Sequence, residues 1–137
     1  VKIISQQDRN ARFIVCVDSE CTDPQITERN LEQCKKYIKK KRFVVNFVII
    51  VHALEAWLAM DENALTAILK PKGKMKIPVN IETECHPEEI LKGIFRRYGK
   101  DFDKSMHDLE IAKHADPQKI ALKSASFKKF QQLLNNH

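Results

Sequence analysis

The chain has 137 residues, 43% of them hydrophobic and 31% charged, which is typical of a globular domain and excludes a disordered chain. No apolar run approaches the roughly 20 residues of a membrane helix, and no basic-then-apolar leader opens the sequence, so we expect a cytoplasmic protein that does not enter a membrane. The three glycines are too few for a P-loop or a dinucleotide fingerprint. We predict a single domain over residues 1–137, with an α/β core at 1–61 and a helical part at 62–137.

The first half of the chain predicts a strand, a helix and a second strand. FIVCV at 13–17 is a short apolar run with β-branched residues, which predicts a strand buried on both faces. Asp23 and Pro24 then predict the start of a helix that runs to about Lys41. FVVNFVIIV at 43–51 predicts the second strand. Strands joined by so long a crossover must be parallel if they share a sheet.

Carboxylates follow each predicted strand. Asp18 and Glu20 come after the first strand, and Glu55 comes shortly after the second. Because the carboxyl ends of neighbouring parallel strands lie about 5 Å apart, we expect these acids to share one crevice. Glu55 also stands in the densest part of the apolar pattern, where a carboxylate needs a partner, and we expect Leu54 and Trp57 to turn into the core beside it.

Two interpretations of these acids remain open. Neighbouring carboxylates repel one another unless a cation lies between them, and their hard oxygen ligands suit Mg²⁺ or Mn²⁺. Alternatively, Asp18 and Glu20 are solvated turn residues and Glu55 pairs with His52 three residues earlier. The spacing alone does not decide between them.

The net charge of +6 is concentrated in one segment, and a second lysine-rich stretch follows later. KKYIKKKR at 35–42 belongs to the predicted helix and its end, and KPKGKMK at 70–76 contains Pro71 and Gly73, which predict a loop. Such runs are usually solvated surfaces, but clustered basic residues are also what contact with phosphate backbones requires. The candidate nucleic-acid contacts are Lys35, Lys36, Lys39, Lys40, Lys41, Arg42, Lys72, Lys74 and Lys76.

The second half is predicted to be helical and offers little chemistry. Helices are predicted at 62–69, where Asp61 can cap, and at 86–98, 104–115 and 117–134. Aromatic residues follow helical faces and predict core packing rather than stacking on bases: Phe95, Tyr98, Phe102, Phe127 and Phe130. His107 and His114 are predicted to be surface residues.

The four cysteines are Cys16, Cys21, Cys34 and Cys85, and their spacing matches no CxxC zinc pair. A reducing cytoplasm disfavours a disulfide framework. We therefore expect four reduced thiols that serve in packing.

Two stretches resemble a known family. HALEAWLAMDENAL at 52–65 resembles the EaWLlAD signature of a poorly characterised Toprim-like family, which is similar to the nuclease portion of the OLD (overcoming lysogenisation defect) proteins. IAKHADPQKIALKSASFKKFQQLL at 111–134 resembles the same family's ending, in which a helix leads through a Ser-x-Ser-Phe segment to a closing helix. The resemblance covers most of residues 13–134.

The resemblance implies a fold and a set of site residues. Toprim domains are small parallel α/β sheets whose acidic residues hold divalent metal for phosphodiester chemistry. Asp18 and Glu20 fall on the family's D-x-D after an apolar strand, Glu55 on the acid before the Trp, and Asp61 on the Asp that closes the signature. The second acid of D-x-D is Glu here, and the family's first conserved Glu has no counterpart, as expected if a further strand and helix precede Val1.

Together the residues and the resemblance predict a metal-dependent nuclease that hydrolyses DNA or RNA. The expected catalytic residues are Asp18, Glu20 and Glu55, with Asp61 as a further ligand of Mg²⁺ or Mn²⁺. Nucleic acid is the expected partner, and an ATPase partner is left open. The alternative is a non-catalytic module that binds nucleic acid or protein and keeps the fold without a complete acidic site.

Overall fold

The computed structural model describes residues 12–39, 44–77 and 81–136. The first half contains β1 (Arg12–Asp18), α1 (Pro24–Lys39), β2 (Val44–Ile50), α2 (Leu54–Leu58) and α3 (Glu62–Leu69). A short 3-10 helix at Ile81–Thr83 leads to α4 (Pro87–Arg97), α5 (Lys104–His114), α6 (Pro117–Lys123) and α7 (Ala125–Asn135).

β1 and β2 pair in parallel, and α1 is the crossover between them. The register sets Arg12 opposite Val44 and Asp18 opposite Ile50, so the two carboxyl ends lie level. The backbone N–H of Gln25 donates to the Asp23 carboxylate at 2.8 Å, which caps α1 as predicted. The predicted strand, helix, strand unit with parallel strands is confirmed, and the predicted extension of α1 to Lys41 lies outside the described residues.

The two strands differ in burial, which corrects one expectation. Val48 and Ile50 of β2 are buried, whereas Val15 of β1 is 38% exposed and Cys16 is also exposed. The prediction that β1 is buried on both faces is wrong. Within the described part of the chain β1 pairs only with β2, and α1 and α7 pack mainly against β2.

Two apolar clusters form the core. One joins β2 to the C-terminal helices, with Trp57 packed edge-on against Phe127 at 5.0 Å between ring centroids. The other lies among α2 to α5 around Phe95, whose ring meets that of Phe102 at 5.1 Å. The predicted core role of the five aromatic residues is confirmed: Phe95, Tyr98, Phe102, Phe127 and Phe130 all belong to these clusters.

Two expectations for the helical half are wrong. The helix predicted at 117–134 is broken at Ser124, whose extended backbone separates α6 from α7 and whose hydroxyl accepts from the N–H of Phe127 at 3.1 Å. His107 is buried and not a surface residue: its ring lies 4.7 Å from that of Phe95, and its Nδ1 accepts from the N–H of Asp103 at 2.8 Å.

The structure is therefore an α/β fold with a small parallel sheet and a helical C-terminal half, as predicted. None of the helices in the described ranges is both long and apolar enough to cross a membrane. The assignment of 1–137 to a single domain stays a prediction.

Candidate acidic site at the strand ends

The turns that leave the two strands are bonded to each other. The N–H of Ser19 donates to the carbonyl of Ile50 at 2.9 Å, that of Glu20 donates to the carbonyl of His52 at 2.8 Å, and that of His52 donates to the Ser19 hydroxyl at 2.8 Å. Glu20 and His52 have φ angles of 52° and 63°, which side-chain-bearing residues adopt at a cost of about 1–3 kcal/mol each. These bonds hold both residues in that conformation, so the backbone at the strand ends is fixed.

A cleft of about 290 Å³ lies beyond these strand ends. It is bounded by the turn after β1, the start of α2, the start of α4 and the first residue of α5. Five of its ten lining residues are acids and one is a lysine: Asp18, Glu20, Ala53, Glu55, Cys85, His86, Pro87, Glu88, Glu89 and Lys104. The three acids predicted from the sequence, Asp18, Glu20 and Glu55, thus line one cleft.

Glu55 is the most buried acid of this cleft. Its side chain is 1% exposed, and its Oε1 forms an ion pair with the ammonium of Lys104, which is 56% exposed. Neither carboxylate oxygen of Glu55 accepts a hydrogen bond of normal geometry within the described residues, so the ion pair is its only polar contact there. Glu55 raises the pKa of Lys104, since the carboxylate stabilises the charged ammonium.

Two acids near Glu55 have raised pKa values. Burial, followed by the charges of Glu55 and Glu20, raises the pKa of Asp18 above its usual value. Burial first and the Glu55 charge second raise the pKa of Asp108 to about 6, and Lys104 opposes that rise. Asp108 Oδ1 is a buried acceptor without a hydrogen-bond donor in the described structure. The cleft therefore carries more negative charge than Lys104 balances.

Asp108 and Lys104 were not among the site residues predicted from the sequence. They stand four residues apart on α5, a spacing that puts a lysine and an acid on one helix face, but nothing in the sequence shows that this face meets Glu55. The sequence therefore shows that Lys104 and Asp108 share a helix face, but not that this face lies beside Glu55.

The acids fit hard divalent cations in chemistry but are not drawn together around one point. Oε2 of Glu55 and Oδ1 of Asp108 are buried acceptors without a donor in the described residues, and Oε1 of Glu55 has only the ion pair with Lys104. Such oxygens are suitable ligands for Mg²⁺ or Mn²⁺. However, Asp18, Glu20 and Glu55 are not among the described groups of three whose ligand atoms all lie within 4.8 Å of one another. As arranged here, Lys104 provides the positive charge beside Glu55.

Two further expectations near Glu55 have different outcomes. Trp57 is buried as predicted, but Leu54 is 40% exposed, so its predicted turn into the core is wrong. Asp61 caps α3 by accepting from the N–H of Asn63 at 2.9 Å, and its other oxygen accepts from the N–H of Asp116 at 2.7 Å. Asp61 does not line the cleft, and its two bonds give it a structural role that joins α3 to the start of α6.

The cysteines differ from the expectation of four reduced packing thiols. Cys21 and Cys85 are joined by a disulfide, with their Cα atoms 5.0 Å apart. Cys16 and Cys34 are free and exposed, so neither packs in the core. Sequence spacing could not show the bond, because it joins residues 64 positions apart that meet only when α4 packs beside the turn after β1.

The predicted nucleic-acid contacts occupy two separate surfaces. On α1, Lys36 is exposed and Lys35 is paired with Glu32 at 2.6 Å. Lys39 ends α1, while Lys40, Lys41 and Arg42 lie outside the described residues.

The second surface is the loop after α3. Lys72, Lys74 and Lys76 are exposed there. Lys74 and Lys76 also line a second cavity of about 240 Å³ together with Ile94, Arg97 and Tyr98. Arg97 is a basic residue that the sequence analysis did not include.

Residues 1–135 match the family described as Domain of unknown function (DUF4276). No curated protein and no solved structure matches the chain.

Proposed function

We propose that this chain, which belongs to the DUF4276 family, is a Toprim-like domain that hydrolyses phosphodiester bonds of DNA or RNA in the cytoplasm with the help of Mg²⁺ or Mn²⁺. The observation that carries the proposal is Glu55, a carboxylate that is 1% exposed at the carboxyl ends of two parallel strands. Acids are rarely buried in this way unless a positive charge pairs with them, and such crevices are where open α/β sheets bind ligands.

The acids at the strand ends would hold the metal ion. Asp18, Glu20 and Glu55 are the proposed ligands, and a divalent ion there would orient a phosphate and offset the charge that develops on its oxygens. Lys104 is more than half exposed, so its ammonium can leave Glu55 for solvent or for a phosphate oxygen. Asp108, with a pKa of about 6, can hold a proton near neutral pH and release it as the charge around Glu55 changes.

The exposed lysines would hold the nucleic-acid backbone. The cavity lined by Lys74, Lys76 and Arg97 lies at the C-terminal end of α4, and the acidic cleft lies at its N-terminal end. The 11 residues of α4 span about 16 Å at 1.5 Å per residue. A backbone held by these basic residues could therefore reach the acidic cleft within a few nucleotides.

A second candidate function is a non-catalytic module that binds nucleic acid or protein. It is favoured by the Lys104–Glu55 ion pair, which already neutralises part of the cleft, and by the distances between the acids. In that case Lys104 is a permanent partner of Glu55 and no metal ion binds.

Nicking of supercoiled plasmid in the presence of Mn²⁺ distinguishes the metal-dependent nuclease from the non-catalytic module. We expect the wild-type chain to nick, Glu55→Gln to lose nicking while its circular dichroism stays unchanged, and Glu110→Gln, an exposed acid on α5, to nick like the wild type. Mn²⁺ should also raise the melting temperature of the wild type but not of Glu55→Gln, because a ligand bound only by the folded state stabilises it. Nucleic-acid binding without nicking and without a Mn²⁺ effect on melting would favour the non-catalytic module.

A further inference from the structure

Two cysteines and a histidine meet at the mouth of the acidic cleft. Cys21 lies in the turn after β1, and Cys85 and His86 immediately precede α4. Their potential ligand atoms all lie within 4.8 Å of one another, the one such group in the described residues. Cys21 Sγ is 3.9 Å from Nδ1 and 3.8 Å from Nε2 of His86.

Both sides of this group are anchored. The turn that carries Cys21 is fixed by the hydrogen bonds between the strand ends, including Glu20 N–H to the His52 carbonyl. On the other side, buried Pro87 begins α4, and the carbonyl of His86 accepts from the N–H of Glu89 at 3.0 Å. Donors held by rigid elements need little rearrangement to bind an ion.

We propose that Cys21, Cys85 and His86 form a zinc site in the reduced protein, with the Cys21–Cys85 disulfide as its oxidised, metal-free form. Two thiolates and an imidazole suit Zn²⁺ and not Mg²⁺, and three protein ligands leave the fourth tetrahedral position to water. Zn–S and Zn–N bonds of about 2.3 and 2.0 Å place sulfur and nitrogen about 3.6 Å apart, close to the separation seen between Cys21 and His86.

The conversion of the disulfide into the zinc site requires an external dithiol as reductant. The external dithiol gives two electrons and two protons to the Cys21–Cys85 disulfide. Cys21 and Cys85 become thiols, and the external dithiol becomes a disulfide. Zn²⁺ then displaces the two thiol protons and binds the thiolates. Cys21 and His86 are exposed, so reductant and metal can both reach the group. The site is separate from the acidic ligands and does not depend on the proposed hydrolysis, although Cys85 and His86 line the same cleft.

Cobalt binding to the full chain tests this proposal. The protein is reduced with a dithiol, freed of the dithiol without air, and titrated with Co²⁺, which reports thiolate ligation by a charge-transfer band and tetrahedral geometry by visible bands. We expect one Co²⁺ per chain to be bound by thiolate, as counted from the charge-transfer band, and to be displaced by Zn²⁺. His86→Asn, which keeps both cysteines, should bind at least about tenfold more weakly, and Cys21→Ser, which leaves Cys85 as the one thiolate of the group, should lose half or more of the charge-transfer band. Cys34→Ser, which removes a free cysteine on α1, should bind like the wild type.

Several results would overturn the proposal. One is the absence of a charge-transfer band in the reduced wild-type chain, and another is a band of unchanged intensity in Cys21→Ser. Alkylation and mass measurement provide a third: of the four cysteines, two are free in this structure and four should react after dithiol treatment. If only two react in the folded protein, the disulfide is permanent and no zinc site becomes available.

Discussion

The negative charge of Glu55 and the acids near it is only partly balanced by positive charge in the fold. The carboxylate of Glu55 is removed from water, and its counter-charge on Lys104 remains more than half in solvent. Solvent screening weakens such a pair, so the pair does not repay the full desolvation of the acid. Their own burial first, and the nearby Glu55 charge second, raise the pKa values of Asp18 and Asp108.

Asp108→Asn is expected to stabilise the protein at neutral pH. The folded-state pKa of Asp108 is about 6 against an ordinary 3.8, so between these values the folded protein binds more protons than the unfolded one and stability falls as pH rises. The variant removes this loss. Because Asp108 is only partly buried, we expect a gain on the order of 1 kcal/mol at pH 7, or roughly 4 °C in Tm.

The gain should shrink as the pH is lowered through 6 to 4 and vanish below 3.8, since Asp108 of the wild type becomes protonated first in the folded and then in the unfolded protein. Differential scanning calorimetry at pH 4, 5, 6 and 7 measures the trend. Glu110→Gln, an exposed acid on the same helix, is the matched control and should change Tm little at any of these pH values. A lower Tm for Asp108→Asn at pH 7 would contradict the argument.

The sequence predicts only those residues of the site that directly follow the two strands. Asp18, Glu20 and Glu55 follow two apolar runs, and the parallel pairing of those runs is enough to bring them to one cleft. Lys104 and Asp108 come from a helix more than 40 residues later, whose place against α2 depends on the packing of the whole helical half. Sequence periodicity shows which face of α5 is polar but not what that face meets.

At the scale of elements, the break between α6 and α7 shows how one side chain overrides a helical pattern. The apolar spacing continues across residues 117–134, but Ser124 accepts from the N–H of Phe127 and donates to the carboxylate of Glu82. A serine that bonds local backbone in this way favours a helix start over a helix interior. Beside it, Ser126 accepts from the indole N–H of Trp57 at 2.8 Å, which ties α7 to the helix that carries Glu55.

Ser124→Ala is therefore expected to destabilise the fold. Loss of the cap costs about 1–2 kcal/mol, and the partly buried Glu82 carboxylate also loses a donor. Urea denaturation should show a lower midpoint with an unchanged m-value. Ser105→Ala near the start of α5 is the comparison: it removes a hydroxyl that donates to the exposed Asp103 carboxylate but is not itself the cap, and its loss should stay near half a kcal/mol. Equal effects of the two substitutions would show that Ser124 does not hold the start of α7.

For the whole molecule, the charges of the described residues separate into an acidic cleft and exposed basic surfaces. The basic excess is visible in the sequence, because KKYIKKKR accounts for it and KPKGKMK is a second lysine-rich stretch. The position of the basic residues relative to the acidic cleft is not visible in the sequence, because it depends on how the loop after α3 lies against the end of α4. The parallel strand pair could be predicted, because a single crossover helix between two strands leaves few possible topologies.

This separation predicts which lysines affect nucleic-acid binding. Lys74 and Lys76 line a concave surface with Arg97, so Lys74→Glu/Lys76→Glu should weaken binding to a generic duplex and make it less dependent on salt. Each phosphate contact releases counterions, so the loss of two contacts should reduce the slope of log K against log salt by about 1.8. Fluorescence anisotropy from about 50 to 200 mM salt measures it. Lys128→Glu/Lys129→Glu on α7 makes the same charge change at two other exposed lysines, away from that surface. If both double variants reduce the slope equally, net charge alone governs binding and the loop makes no specific phosphate contact.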